Sequence, residues 1–155
     1  MPVAPVPEMP DFDVAAALRL EVWWLRRAQP RRVFAPRLHL GVPGDAGALT
    51  SDGLSPLTGS PWPPPRWLDA GVRADVCDRL VSAWTSRSGT AAYCWYTRPG
   101  HPDRHDEDLA WHAATRWAFA AHGLPLLGFW VVTRYGWRDP VTGDERRWKR
   151  LRVKG

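Results

Sequence analysis

Two apolar runs on either side of a helical stretch constrain this chain most. Residues 91–97 (Ala-Ala-Tyr-Cys-Trp-Tyr-Thr) are almost continuously apolar, as expected of a strand covered on both faces. Residues 126–135 form a second strand of the same kind. Between them Pro99-Gly100 marks a turn, and acidic Asp106, Glu107 and Asp108 begin a helix where the helix dipole favours them. Asp103 and Asp106 are alternative N-caps. The helix runs to about His122, where Gly123-Leu124-Pro125 supplies the expected stop. A strand, a helix and a strand in this order predict a parallel pair joined by a right-handed crossover. Asp139-Pro140-Val141-Thr142-Gly143 then turns the chain into a last strand over 146–153, antiparallel to the one before it.

The N-terminal half adds helices and a poorer strand. Residues 1–10 carry four prolines and read as an irregular tail. Asp11 can cap a helix over 12–28, with Val14, Leu18, Val22 and Leu25 as its apolar seam. On its other side Arg19, Trp23, Arg26 and Arg27 cluster, the arginine stems shielding the indole. Residues 32–40 read as a short edge strand because of Pro36. The stretch 42–71, with 6 Pro and 5 Gly, is a long loop whose segment 61–67 (Pro-Trp-Pro-Pro-Pro-Arg-Trp) favours polyproline II. A helix over 73–87 follows, with Val76, Cys77, Leu80, Val81 and Trp84 as its buried stripe and Asp75 and Arg79 paired on its surface. The expected architecture is one α+β domain over 11–155, with a mixed sheet of three to four strands whose C-terminal half runs β-α-β-β, covered by helices.

At 155 residues the chain needs neither disulfides nor metal to close a core. Cys77 and Cys94 are too few and too far apart for a disulfide scaffold or a Cys-x-x-Cys site, which predicts reduced thiols in a cytoplasm, with Cys94 acting as a small hydrophobe. No run approaches the length of a membrane span, and the first residues lack the pattern of a secretory signal. No phosphate-binding loop or dinucleotide fingerprint occurs, so no cofactor is expected.

Charge is where the sequence speaks about function. Residues 1–133 hold 13 basic and 13 acidic residues, and residues 134–155 hold 8 basic against 3 acidic, so the whole net charge of +5 sits in the last 22 residues. The basic set is Arg134, Arg138, Arg146, Arg147, Lys149, Arg150, Arg152 and Lys154, interleaved with Tyr135, Trp137 and Trp148. Phosphates call for closely spaced cations, and unstacked bases call for flat apolar faces; this segment offers both. On a regular strand Trp148, Arg150, Arg152 and Lys154 would share one face, with Arg147, Lys149, Leu151 and Val153 on the other. The expected function is therefore non-catalytic binding of DNA or RNA by a basic C-terminal hairpin. The same charges also suit an acidic protein partner, or simply protect an edge strand from aggregation.

A second candidate lies at 98–112, where three of the five histidines fall within 12 residues. His101, Asp103, His105, Asp108 and His112 follow the end of a strand, where open α/β sheets place ligands. Imidazoles and carboxylates gathered there would serve acid–base chemistry or a divalent metal in a small cytoplasmic enzyme or metal-binding protein. No metal-ligand spacing occurs among them, and capping alone accounts for acidic residues at a helix start.

Overall fold

The structure is a computed structural model that describes residues 12–51 and 70–151. The N-terminal tail at 1–10, the Pro-Trp-Pro-Pro-Pro-Arg-Trp segment, Arg152 and Lys154 lie outside the described residues. Among the described residues three helices and six strands follow one another in the order α1 (Val14–Ala28), β1 (Arg37–Gly41), β2 (Leu49–Thr50), α2 (Ala70–Arg87), β3 (Ala92–Thr97), α3 (Asp106–Ala121), β4 (Leu126–Thr133), β5 (Gly136–Arg138) and β6 (Glu145–Arg147). The strands form one mixed sheet in the order β2-β1-β3-β4-β5-β6.

The β3–α3–β4 unit is the expected parallel pair, with Cys94 beside Phe129 and Tyr96 beside Val131. Every residue of β3 is buried. Alternation along β3 and β4 then divides the interior in two. Cys94, Tyr96, Phe129 and Val131 face α2 and α3, where they pack with the predicted stripe of Val76, Cys77, Leu80, Val81 and Trp84 and with Trp111 and Phe119. Tyr93, Trp95, Trp130 and Val132 face α1, against Leu18, Val22 and Leu25. The result is a sheet with two helices on one face and one on the other.

Several expectations are corrected. The sheet has six strands where three to four were expected, because β2, β5 and β6 are only two or three residues long and too short to show a period. The strand near Pro36 is not an edge strand: it starts at Arg37, and β2 covers its outer side. The last strand does not pair with β4. A two-residue turn at Arg134-Tyr135 sends the chain into β5, which pairs antiparallel with both β4 and β6. Gly136 permits this bend, since its φ of 157° disfavours other residues and an added Cβ would press on the Arg146 carbonyl oxygen. The final strand stops at Arg147, and residues 148–151 are not strand, so the two-face alternation expected from 147 onward does not form over the described residues. Inside β4, Gly128 is needed for packing: an added Cβ would lie 2.5 Å from the Trp130 ring.

Helix starts shift for capping reasons. The Asp13 carboxylate accepts the Ala16 N–H at 3.0 Å and begins α1. Neither Asp103 nor Asp106 caps α3; His105 does, its Nδ1 accepting the Glu107 N–H at 3.2 Å. Cys77 and Cys94 are free and buried, both beside the Thr115 hydroxyl at 3.6 and 3.9 Å. Burial pushes the Cys77 thiol up to about 12 and that of Cys94 well above its ordinary value. Among the described residues no helix is long and apolar enough to cross a membrane.

Candidate functional site

The loop after β3 is organised by Arg98, which is 2% exposed. Its guanidinium grips Asp108 in a two-pronged pair, Nε to Oδ1 at 2.7 Å and Nη2 to Oδ2 at 2.8 Å. The same group donates to the carbonyls of Pro99, His101 and Asp103 at 3.0, 2.9 and 3.1 Å. The loop is thus wrapped around a buried cation, and Asp108 serves as its counter-ion. His101 stacks on Tyr135 with ring centres 4.3 Å apart. Asp103 is exposed and pairs with Arg147 at 2.6 Å, a hydrogen bond that holds its carboxyl below the usual range. His112 stacks on Phe129 at 4.9 Å, beside an open groove that Arg116 and Trp117 also line. Burial, helped by the charge of Arg116, lowers the His112 pKa. The side chains of His101, Asp103, Asp108 and His112 therefore have different partners, Tyr135, Arg147, Arg98 and Phe129. Among the described residues no group of three His, Cys, Asp or Glu is placed to hold a metal ion.

Ion pairs hold part of the basic C-terminal segment. Arg138 pairs with Glu145 at 3.0 Å, and Arg147 pairs with both Glu145 and Asp103. Arg147 is the main reason the Glu145 carboxyl titrates low, and Glu145 in turn raises the Arg147 pKa. Trp137 is 8% exposed and belongs to the core under α1, and Tyr135 is half-buried beneath His101. Arg134 is half-buried as well. Arg146, Lys149 and Arg150 are exposed.

Tertiary structure adds a second element to this surface. Arg26 of α1 donates from Nε to the Arg134 carbonyl and from Nη2 to the Trp148 carbonyl, the latter at 2.7 Å. Arg19 lies over the Trp148 ring at 5.9 Å, and Arg27 over Trp23 at 4.8 Å. Helical spacing places Arg19, Trp23, Arg26 and Arg27 on one flank of α1, and that flank meets the chain leaving β6. Cations from two distant parts of the sequence thereby share one face, with Trp23 and Trp148 set among them. The cluster on α1 was visible as a helical spacing. Its position beside residues 134 and 148 was not.

The opposite flank of α1 holds residues that sequence reasoning missed. Glu21 lies in the apolar seam between Leu18 and Leu25 and is 9% exposed. Its Oε1 accepts the Gly44 N–H at 2.8 Å, and burial pushes its pKa up to about 7. His39 points to the same side from β1, stacked on Trp95 at 5.4 Å with its Nε2 2.9 Å from the Thr97 hydroxyl. A carboxylate at a seam position of an amphipathic helix is the signal that would have found Glu21.

No protein-family model, no curated protein and no solved structure matches this chain.

Proposed function

We propose that the protein is a non-catalytic nucleic-acid-binding protein whose binding face joins the Arg19–Trp23–Arg26–Arg27 flank of α1 to the segment that leaves β6. What carries this reading is the contact between Arg26 and the carbonyls of Arg134 and Trp148, which aligns two separate sets of cations and aromatic rings. Arg146, Lys149 and Arg150 neutralise backbone phosphates, and the faces of Trp148 and Trp23 are where unstacked bases lie. Arg138 and Arg147 are committed to Glu145 and Asp103 and hold the hairpin in shape. Trp137 has no part in stacking in this scheme, because it fills the core. Arg152 and Lys154 extend the same basic run in sequence.

The test is quenching of tryptophan fluorescence by single-stranded and duplex oligonucleotides, DNA and RNA, at two salt concentrations. Contact with about three to five phosphates gives a slope of log affinity against log salt of roughly −2 to −4.5. A variant carrying Arg146→Ala, Lys149→Ala and Arg150→Ala keeps its fold and loses most of this affinity. Affinity that ignores salt, or that survives in the triple variant, would overturn the reading.

A further inference from the structure

On the far side of the sheet from the basic face, the outer flank of α3 carries a different kind of surface. α3 packs on β3 and β4, while α1 packs on β5 from the opposite face. An open groove of about 790 Å³ lies between α3 and the turn that joins β5 to β6. Helical spacing sets His112, Arg116 and Ala120 in one column along that flank, with Trp117 in the next. The floor is aromatic, with Phe119 from α3 and Phe129 from β4, both part of the core beneath. Gly128 lines the groove without a side chain, which keeps the floor deep. Trp117 and Val141 also line it, and they are 57% and 66% exposed. Among the described residues just three large apolar side chains are this exposed, and two of them meet at this one groove. Exposed apolar surface gathered in one place marks a binding site, whereas single exposed residues do not.

Polar groups in the groove are few. His112 is half-buried and fixed by its stack on Phe129. Arg116 is exposed, and among the described residues no carboxylate forms an ion pair with it. The charged residues that lead into the β5–β6 turn are engaged elsewhere. Arg138 pairs with Glu145 at 3.0 Å, and the Asp139 carboxylate accepts the N–H groups of Val141 and Thr142 at 2.8 and 3.1 Å. Arg116 thus brings an uncommitted cation to the rim of an aromatic groove. Small-molecule sites span about 300–1,000 Å³ and combine apolar and aromatic walls with a few polar groups, and this groove fits both measures. A flat indole over an aromatic floor suits rings, and one cation matches one negative charge. We propose that this groove binds an aromatic acid of about two to three rings, the rings against Trp117 and Val141 and the ionised acid group on Arg116. A neutral ring system gains nothing from Arg116, and a cationic one is repelled by it. The sheet separates this groove from the proposed nucleic-acid face, so each can be tested without the other.

The full-length protein is titrated with anilinonaphthalene sulfonate and with phenyl-naphthylamine, which has the same rings without the acid group. Probe fluorescence gives the affinity, and NMR of the backbone amides and the Trp117 indole N–H gives the place. Both probes produce saturable shifts centred on residues 112–120 and 126–129. Arg116→Gln weakens the sulfonate about fivefold, as expected of an exposed ion pair, and leaves the amine unchanged. Arg116→Lys, which keeps the charge, keeps most of the sulfonate affinity. Ala120→Phe, at an exposed helix position, fills the groove and removes binding of both probes. Thermal melts of each variant confirm folding, and oligonucleotide binding is unchanged in Ala120→Phe. The variant carrying Arg146→Ala, Lys149→Ala and Arg150→Ala binds both probes as the unsubstituted chain does. An Arg116→Gln variant that weakens both probes equally or neither, or unaltered binding in Ala120→Phe, would overturn the proposal. So would shifts centred on α1 or on residues 134–150, or no saturable binding below about 1 mM.

Discussion

Replacing Asp108 by Asn removes the counter-ion of a guanidinium that is 2% exposed while keeping almost the same shape. Breaking a buried ion pair by removing one partner costs about 3–5 kcal/mol, because the remaining charge is left buried and uncompensated. Arg98 keeps its three carbonyl acceptors at Pro99, His101 and Asp103, so some solvation survives in the variant. That places the expected loss near the lower end, about 3 kcal/mol. For a chain of this size each kcal/mol moves the melting temperature by about 2–4 °C, which gives a fall of about 6–12 °C. Urea unfolding followed by tryptophan fluorescence measures the free energy directly, and hydrogen exchange reports the loop. Backbone amides of residues 99–105 should lose protection before those of β3 or β4 do. The double variant Arg98→Met/Asp108→Leu removes both charges and should recover much of the stability. A loss below about 1 kcal/mol in Asp108→Asn would refute the view that the loop is built around this ion pair. A double variant less stable than either single one would refute it as well.

Other outcomes follow from the same structure. Glu21 titrates at about 7 when folded, against an ordinary value of 4.5, so the folded state holds its proton over a range where the unfolded chain has released it. Stability from this group is therefore full below about pH 4.5 and declines as pH rises to about 7, by about 3 kcal/mol in all. Glu21→Gln should flatten that decline in urea titrations across pH 4.5–8, and an unchanged profile would sink the assignment. Gly136→Ala places a Cβ against the Arg146 carbonyl at a φ of 157°, and should cost more than about 1 kcal/mol in a thermal or urea melt. Cys77 and Cys94 should resist a thiol-specific reagent at pH 8 until the protein is unfolded, since burial keeps both as thiols; rapid labelling of the native state would contradict their placement.

The strongest elements of the fold were fixed by local pattern. The apolar runs of β3 and β4, separated by a capped helix, leave a parallel pair as the one economical arrangement, and the stripe on α2 names its own buried face. These signals survive because burial on a sheet or helix repeats at a period that the sequence must obey. The short strands carry no such period. β2, β5 and β6 exist because neighbouring strands offer them backbone partners, and Gly136 shows only in three dimensions that a β6 carbonyl passes over it. The same division holds for the sites. The surplus of positive charge at the C-terminus was plain in the composition, but which cations are drawn into ion pairs depended on Glu145 and Asp103 claiming Arg138 and Arg147. Asp108 looked like a candidate acid because a sequence cannot display the arginine ten residues earlier that folds beneath it. The groove at Trp117, Phe129 and Val141 draws on a helix, a strand and a turn, and only packing α3 on the sheet brings them together. Periodicity is a property of one segment, whereas a site is a property of the contacts between several.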